Sequence, residues 1–302
     1  MLRAIYHWIK LRFLGLLQDQ IIFKPGHGKL DKMKNPEEYG LSGAKTVDIK
    51  TEDGAFIHLW VKEPDEDKKP LFVVFHGNTG HFGDVGKPKS GELHDARYRI
   101  KLLKTILETG SGIVAVSLRG FGKSSRIKPS EEGFIKDVKA VTDFVLLEKG
   151  FQNDRVIILG ESLGASIAMI MAEAMTLIDK PPALVAKIAA FSSLKWKVIE
   201  LHPDLSEQDV ERSLKHRFDS EERLKNLKEA THLFIMHPED DQVTGKFHSK
   251  KLADLAKEAG LLFTHKEITG GHITWDANEV VSNIMETYDK HIKTLLSKSS
   301  SH

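Results

Sequence analysis

The sequence predicts an α/β fold in which helices cover both faces of a mainly parallel sheet, and three observations support this prediction. Strand-like and helix-like segments alternate along most of the chain, as they do in βαβ units. Several strand-like segments are continuous apolar runs bounded by glycine, which is typical of strands buried on both faces. The 302 residues are 40% apolar and include 15 phenylalanines, which is enough for one substantial core.

The first predicted elements are a hairpin, two buried strands and two helices. "KTVDIKTED" and "AFIHLWVKE" flank Asp53-Gly54, a pair typical of the turn between antiparallel strands. "PLFVVFHG" and "SGIVAVSLRG" predict buried strands joined by a helix over residues 97–109. "SEEGFIKDVKAVTDFVLLEKG" then predicts a helix that is capped by Ser130 and ends at Gly150.

The second half of the chain continues the alternation with one interruption. "RVIILG", "LVAKIAAFSS", "THLFIMHP" and "LFTHKEITGG" predict strands, with helices between them and a last helix over about residues 275–296. The charged segment 195–229 breaks the pattern and predicts a small helical cap inserted between two strands. We therefore expect a main domain over residues 25–297 and a disordered tail over residues 298–302.

The first 24 residues predict an amphipathic helix. Apolar residues recur at helical spacing, but basic residues interrupt them, so no run of about 20 apolar residues exists to span a bilayer. No small-x-small cleavage site follows the short apolar stretch, which argues against a cleaved signal. Two interpretations stay open: a helix packed on its own domain, or one that lies on a membrane surface. The expected location is cytoplasmic, either free or in peripheral contact with a membrane.

The charge balance and the lack of cysteine exclude several classes of protein. Lys+Arg 44 against Asp+Glu 43 gives a net charge of +1, which provides no general attraction to nucleic acid. Because there is no cysteine, the chain has no disulfide, no thiolate metal site and no cysteine nucleophile. We therefore expect no nucleic-acid partner.

The stretch Gly160-Glu161-Ser162-Leu163-Gly164 predicts a nucleophile on a sharp turn. An apolar strand ends at Gly160, and a helix of small residues begins after Ser162. A nucleophile elbow needs this strand-turn-helix context, because the serine sits in a strained turn and the glycines allow close approach of the strand and the helix. The alternative is a plain turn between a strand and a helix.

A serine needs a base to become a nucleophile, and the base needs a group that orients it. His272 follows the last predicted strand in the Gly-rich loop "ITGGHITW", which can turn an imidazole toward Ser162. The loop "HPEDDQVTG" offers Asp240 and Asp241 as the orienting acid. All three parts follow the carboxyl ends of predicted parallel strands, where reactive residues gather in such sheets.

Donors for an oxyanion are expected from two backbone positions. One is the N–H of Leu163 at the start of the helix, where the helix dipole favours negative charge. The other is the N–H of Asn78, or of Thr79, in the loop "HGNTG" after the strand that ends at residue 75. The alternative is an ordinary Gly-rich turn.

Metal and phosphate chemistry fit the sequence less well. His76, His81 and His94 lie near one another in the chain, but no carboxylate stands at ligand spacing beside them. "GFGKSS" resembles the end of a phosphate-binding loop, yet Leu118 stands where that loop needs its first glycine. We expect no metal and no organic cofactor.

The order of these motifs resembles the serine α/β-hydrolases. "FHGNTG", "LRGFGKS", "GESLGA", "HPEDDQVT" and "GGHITW" occur in the order of that superfamily, in which serine, acid and histidine follow one another along the chain. Together with "LLQDQIIFKP", they are most similar to membrane-associated α/β-hydrolase-domain proteins of the esterase and depalmitoylase type. The resemblance covers the chain from about Gln20 to its C-terminus and implies the α/β-hydrolase fold.

The resemblance implies a role for each matching residue. Ser162 corresponds to the nucleophile, His272 to the general base and Asp241 to the acid, with Asp240 as the second choice. Arg119 and Gly120 correspond to a structural turn near the site.

Three departures from the family pattern concern the surroundings of the site. Ser117 stands where the family has an aspartate that pairs with this arginine, Pro238 replaces a glycine in the acid loop, and the loop 81–98 is long. This loop and the segment 195–229 are therefore expected to shape the mouth of the pocket.

The sequence thus predicts a serine hydrolase that cleaves carboxylic esters or thioesters of a small or lipid-like acyl substrate. An amidase or peptidase uses the same three residues, so the sequence leaves that alternative open. A silent hydrolase scaffold that acts as a binding module is the alternative from a different class.

Overall fold

The computed structural model describes residues 18–20, 22–24, 33–83 and 98–299, the last five of them by their backbone only. Eight strands form one sheet within these ranges. They are β1 (Lys45–Lys50), β2 (Phe56–Lys62), β3 (Leu71–Phe75), β4 (Gly112–Ser117), β5 (Val156–Glu161), β6 (Leu184–Ile188), β7 (His232–Pro238) and β8 (Phe263–Ile268).

The α-helices of the described ranges fall between the strands and after the last one. They are α1 (Tyr98–Glu108), α2 (Glu131–Asp143), α3 (Leu163–Leu177), α4 (Leu194–Leu201), α5 (Glu207–Ser213), α6 (Ser220–Leu224), α7 (Lys246–Glu258) and α8 (Ala277–Ser299). None of the helices in the described part of the chain is long and apolar enough to cross a membrane.

The strand order is β1-β2-β4-β3-β5-β6-β7-β8, and the sheet is mainly parallel. Only β2 runs against its neighbours β1 and β4; all the other pairs are parallel. The predicted fold class is therefore confirmed. The carboxyl ends of β3, β5, β7 and β8 reach the same edge of the sheet, which is where loops with reactive residues are expected.

Both faces of the sheet are covered by apolar residues. Along β3, Leu71, Val73 and Phe75 belong to one core cluster, whereas Phe72 and Val74 belong to the other. This division follows from the two-residue repeat of a strand. Because both faces are buried, every residue of this strand is apolar, as the sequence predicts for a strand of this kind.

Two helix ends differ from the predictions. Ser130 caps α2 as expected, since its hydroxyl accepts a hydrogen bond from the Gly133 N–H. However, α2 ends at Asp143 and continues as a wider π-helical turn over Phe144–Glu148, which a short apolar pattern does not distinguish from an α-helix. At the C-terminus, α8 extends to Ser299, so the first two residues of the predicted tail are helical, and residues 300–302 lie outside the described residues.

The segment 195–229, predicted as an insertion, contains most of α4 and all of α5 and α6, between β6 and β7. Two of the described N-terminal residues, Gln18 and Asp19, bind to it. The Gln18 amide oxygen accepts hydrogen bonds from the backbone N–H groups of Lys215 and His216, at 2.8 Å each, and an Asp19 carboxylate oxygen lies 2.7 Å from His216 Nε2. Residues 1–17 of the predicted amphipathic helix lie outside the described residues, and its contact with a membrane stays a prediction.

A lysine is buried in the middle of the sheet. Lys187 of β6 is fully buried, and its Nζ has no hydrogen-bond partner among the described residues. Burial lowers the pKa of Lys187 to about 7, although the carboxylates of Glu221 and Asp219 act in the opposite direction. A buried cation without a partner costs free energy of folding.

We expect Lys187→Met to raise the free energy of unfolding at pH 7 by about 1–3 kcal/mol, because it removes an unsatisfied buried group. In the native protein, the unfolded chain holds this proton up to about pH 10, whereas the folded chain loses it near pH 7. Stability should therefore rise between these pH values, and the variant should lack this part of the rise. Urea unfolding from pH 6 to pH 10 measures both effects; equal slopes for the two proteins would contradict this prediction.

Candidate active site

Ser162 occupies a strained turn between β5 and α3. Its backbone dihedrals are φ 50° and ψ −118°, in a region that residues with a side chain seldom adopt. Such strain persists only where the surrounding structure imposes it, and it is concentrated at functional sites. The turn thus has the backbone strain that a nucleophile elbow requires.

The two glycines that flank Ser162 allow close packing that a side chain would prevent. A Cβ on Gly160 would lie 2.2 Å from the carbonyl oxygen of Gly164, and a Cβ on Gly164 would lie 2.3 Å from the carbonyl oxygen of Phe75. Real Cβ atoms do not approach backbone atoms so closely. The glycines therefore let α3 start directly against the ends of β5 and β3.

The side chains of Ser162, His272 and Asp241 form a hydrogen-bonded chain. Ser162 Oγ lies 3.1 Å from His272 Nε2, and His272 Nδ1 lies 2.8 Å from Asp241 Oδ2. The Asp241 side chain is fully buried, whereas the imidazole is 15% exposed. When Nδ1–H donates to Asp241, the lone pair of Nε2 faces the serine hydroxyl. This arrangement can accept the proton of Ser162 during an attack on a carbonyl.

Of the two neighbouring aspartates, Asp241 is the one that contacts His272. Its second oxygen, Oδ1, accepts hydrogen bonds from the backbone N–H groups of Val243 at 2.8 Å and Thr244 at 2.9 Å. Burial alone would raise the pKa of Asp241, but the hydrogen bond from His272 and those from the backbone outweigh burial and lower it. Asp240 is exposed, and its backbone N–H binds the carbonyl of Gly270.

The loop 76–79 follows β3 beside the serine, and we call it the oxyanion loop because the sequence predicts that it supplies an oxyanion donor. A Cβ built on Gly77 would lie 3.5 Å from the Ser162 Cβ. The Gly77 carbonyl accepts a hydrogen bond from His76 Nδ1 at 2.7 Å. In a trans peptide the N–H of Asn78 points away from that carbonyl, and therefore away from the His76 ring. Leu163 is the first residue of α3, so its N–H has no partner within the helix.

His76 is part of the loop's support. Burial and the nearby Arg99 charge lower the pKa of His76 to about 3, so the ring is neutral at pH 7. It packs edge-on against the rings of Phe82 and Phe121. His94 of the considered histidine cluster lies outside the described residues, and no group of three or more potential metal ligands occurs within them.

Arg119 pairs with two carboxylates from other parts of the chain, although the family's usual aspartate partner is absent. Arg119 Nε donates to Asp137 Oδ1 at 2.7 Å, and Arg119 Nη1 donates to Asp53 Oδ2 at 2.8 Å. Ser117 is buried and takes no part in these ion pairs. The departure at Ser117 therefore leaves Arg119 fully paired.

One group of residues near the site was not singled out from the sequence. Arg99, at the start of α1, forms a buried ion pair with Glu161, and their Nε and Oε1 atoms are 2.6 Å apart. The two residues are 62 positions apart in the chain, so no local pattern links them. The only sequence signal is that Glu161 lies inside the elbow motif.

Comparison with known families identifies the class of protein to which this fold belongs. Residues 70–223, just over half of the chain, match the family described as alpha/beta hydrolase fold, and the chain belongs to this family. The predicted resemblance is confirmed.

Among curated proteins, the chain is similar to members of the ABHD12 type. It is 27% identical to human Protein ABHD12B over 210 residues, which are 66% of this chain and 53% of that protein. It is 23% identical to Lysophosphatidylserine lipase ABHD12 of Danio rerio over 263 residues, 78% of this chain and 64% of that protein. The chain thus spans between half and two thirds of the length of these two relatives.

A solved structure has the same fold. The crystal structure of an alpha-beta hydrolase from Vibrio vulnificus superposes with a TM-score of 0.67 at 20% sequence identity, over 93% of this chain and 92% of that one. At this identity the likeness concerns the fold alone.

Proposed function

We propose that the protein is a serine hydrolase that cleaves carboxylic esters or thioesters through an acyl-enzyme. The observation that carries the proposal is the hydrogen-bonded chain from Ser162 Oγ through His272 to Asp241, at a strained turn of a hydrolase fold. The acyl substrate is small or lipid-like. The chain is similar to a Danio rerio protein named as a lysophosphatidylserine lipase, which supports a lipid-like substrate.

In the first half of the reaction, Ser162 Oγ attacks the carbonyl carbon while His272 Nε2 takes its proton. The carbonyl oxygen becomes an oxyanion, which accepts hydrogen bonds from the N–H groups of Leu163 and Asn78. Asp241 holds the imidazole in the required tautomer and stabilises its protonated form. When the tetrahedral intermediate collapses, His272 returns the proton to the departing alcohol or thiol, and the acyl group stays on Ser162.

In the second half, His272 removes a proton from water as the water attacks the acyl-enzyme. The same two N–H groups hold the second oxyanion, and its collapse releases the carboxylic acid and restores the hydroxyl of Ser162. Every proton moves through His272, so the proposed mechanism needs no cofactor.

We expect a fluorophosphonate probe to label the folded protein at Ser162, because the probe reacts with activated serines and its phosphonyl oxygen uses the same oxyanion donors. Mass spectrometry of the labelled peptide identifies the site. A series of p-nitrophenyl esters of increasing acyl length should show turnover with a preferred length.

The outcomes separate the proposed function from its alternatives. Labelling with turnover of amides but not of esters would favour an amidase or peptidase. A folded protein that is not labelled would favour a silent scaffold that acts as a binding module and would contradict the proposal.

A further inference from the structure

A buried ion pair joins the nucleophile elbow to the oxyanion loop. The side chains of Glu161 and Arg99 are only 7% and 8% exposed, respectively. Glu161 directly precedes Ser162, so its carboxylate is attached to the backbone of the elbow. Burial opposes the charge on Arg99, but Glu161 outweighs this effect and raises the pKa of Arg99, so the guanidinium stays charged.

Glu161 holds the first half of the oxyanion loop. Its Oε1 atom accepts three hydrogen bonds: 2.8 Å from the Gly77 N–H, 2.8 Å from the Tyr98 hydroxyl and 2.6 Å from Arg99 Nε. Since the Gly77 N–H is used in this way, it is not free to bind an oxyanion. That leaves the N–H groups of Asn78 and Thr79, and the Asn78 N–H is the one next to Gly77.

Arg99 holds the second half of the same loop. Its Nη1 donates a hydrogen bond to the carbonyl of Thr79 at 2.8 Å. The loop is thus bound at Gly77 by the carboxylate and at Thr79 by the guanidinium, with Asn78 between the two anchors. The planar fork of arginine makes this possible, because Nε and Nη1 donate in different directions from one rigid group.

Stability does not explain an ion pair at this place. Removing two charges from water costs about as much as their attraction returns, and apolar pairs of similar volume often replace buried ion pairs without loss of stability. An ion pair does, however, fix distances and directions more strictly than apolar packing. Orientation is what an oxyanion donor requires, since its effect depends on a preorganised position.

We propose that Glu161 and Arg99 are positioning residues that hold the oxyanion loop against the nucleophile elbow and so set the direction of the Asn78 N–H. The inference rests on the proposed serine-hydrolase function. Neither side chain takes part in bond making; they act through the loop.

The decisive variant replaces both partners, Glu161→Leu together with Arg99→Met, so that no unpaired charge is left in the core. We expect kcat/KM on the best p-nitrophenyl ester to fall about 10–100-fold. This decrease is no larger than the decrease caused by removing an oxyanion donor altogether. The affinity for an alkyl trifluoromethyl ketone of the same chain length should fall by the same factor, because its adduct with Ser162 carries an oxyanion. The affinity for the matching methyl ketone, which binds without forming the adduct, should change less than about 3-fold.

A control from the described residues is a second buried arginine–carboxylate pair, replaced by Arg119→Met with Asp137→Leu; Asp53, the second partner of Arg119, is 30% exposed and keeps its contact with water. This pair is also buried, with 4% and 0% of its side chains exposed, but it holds a different turn. Its replacement should leave the ratio of the two ketone affinities unchanged, whatever it does to the melting temperature. Tyr98→Phe removes one hydrogen bond to Glu161 but neither loop anchor, and it should change kcat/KM less than about 3-fold.

If the double variant at Glu161 and Arg99 does not fold, Arg99→Lys provides the same test. A lysine can pair with Glu161 but lacks the rigid fork that also reaches Thr79. An unchanged ratio of ketone affinities in whichever variant folds would overturn the proposal, as would an equal loss in the Arg119 control. Failure of the proposed function is a separate result, since it would appear as a lack of ester turnover and labelling in the unaltered protein.

Discussion

Replacing Ser162 by alanine is expected to lower kcat on p-nitrophenyl esters by about 10⁶-fold, because serine, histidine and aspartate act as a unit in such sites. The alanine has no oxygen to attack the carbonyl, and His272 Nε2, 3.1 Å from the lost hydroxyl, has no nucleophile to activate. A residual rate above that in water should remain, since the N–H groups of Leu163 and Asn78 still stabilise an oxyanion formed by water. The rate is measured with purified protein, together with fluorophosphonate labelling.

The control for this variant is Ser166→Ala. Ser166 is a buried serine of α3 one helical turn beyond Ser162. It is not part of the hydrogen-bonded chain, so its replacement should leave kcat within about 3-fold of the original. Ester turnover by Ser162→Ala that stays within tenfold of the unaltered protein would show that another residue is the nucleophile.

Features of the fold and the site that depend on residues close together in the sequence were predictable. The strands β3, β4 and β5 are buried on both faces, so each contains a continuous run of apolar residues. Such a run can be recognised in the sequence without knowing which strands pair with it. The elbow around Ser162 is also local, because its strain and its flanking glycines fall within five residues. The common edge of the sheet then follows from the parallel topology, which brings His272 and Ser162 together although they are far apart in the chain.

The parts that depend on distant contacts were not predictable. Arg99 and Glu161 meet only because the start of α1 lies beside the end of β5. Nothing in the sequence around Arg99 indicates that this arginine, among the others, has such a partner. Lys187 is a comparable case, since the pattern "LVAKI" predicts a strand but does not say that the lysine is buried with the rest. The choice between Asp240 and Asp241 rested on the family resemblance, because two adjacent carboxylates have the same chemistry until a turn orients them.

Replacing Asp241 by asparagine is expected to lower kcat by about 10⁴-fold, as changes that impose the wrong histidine tautomer do. The backbone N–H groups of Val243 and Thr244 donate to Oδ1, so the asparagine oxygen must occupy that position and its NH₂ group must face His272. The NH₂ group can only donate, so Nδ1 of the imidazole becomes an acceptor and the proton moves to Nε2. The protonated Nε2 then faces the serine hydroxyl and has no lone pair to accept its proton.

The control is Asp240→Asn, which removes the same charge at an exposed position next to the site. We expect its kcat to stay within about 3-fold of the unaltered protein, because a solvent-exposed carboxylate has a weak effect on the imidazole. A loss of about 10⁴-fold in this variant, with activity retained in Asp241→Asn, would exchange the roles of the two residues. Equal small losses in both would mean that His272 is oriented by another group.

The pH dependence of stability tests how the buried carboxylate of Asp241 is held. The pKa of Asp241 is lowered in the folded protein, so its ionised form stabilises the fold above its ordinary pKa of about 4, and this contribution is lost as the pH falls through the lowered value. Asp241→Asn should therefore reduce the free energy of unfolding more at pH 7 than at pH 3. Urea unfolding of this variant and of the unaltered protein at both pH values provides the measurement, and an equal loss at the two pH values would contradict the view that Asp241 is held as a carboxylate by His272 and the two backbone donors.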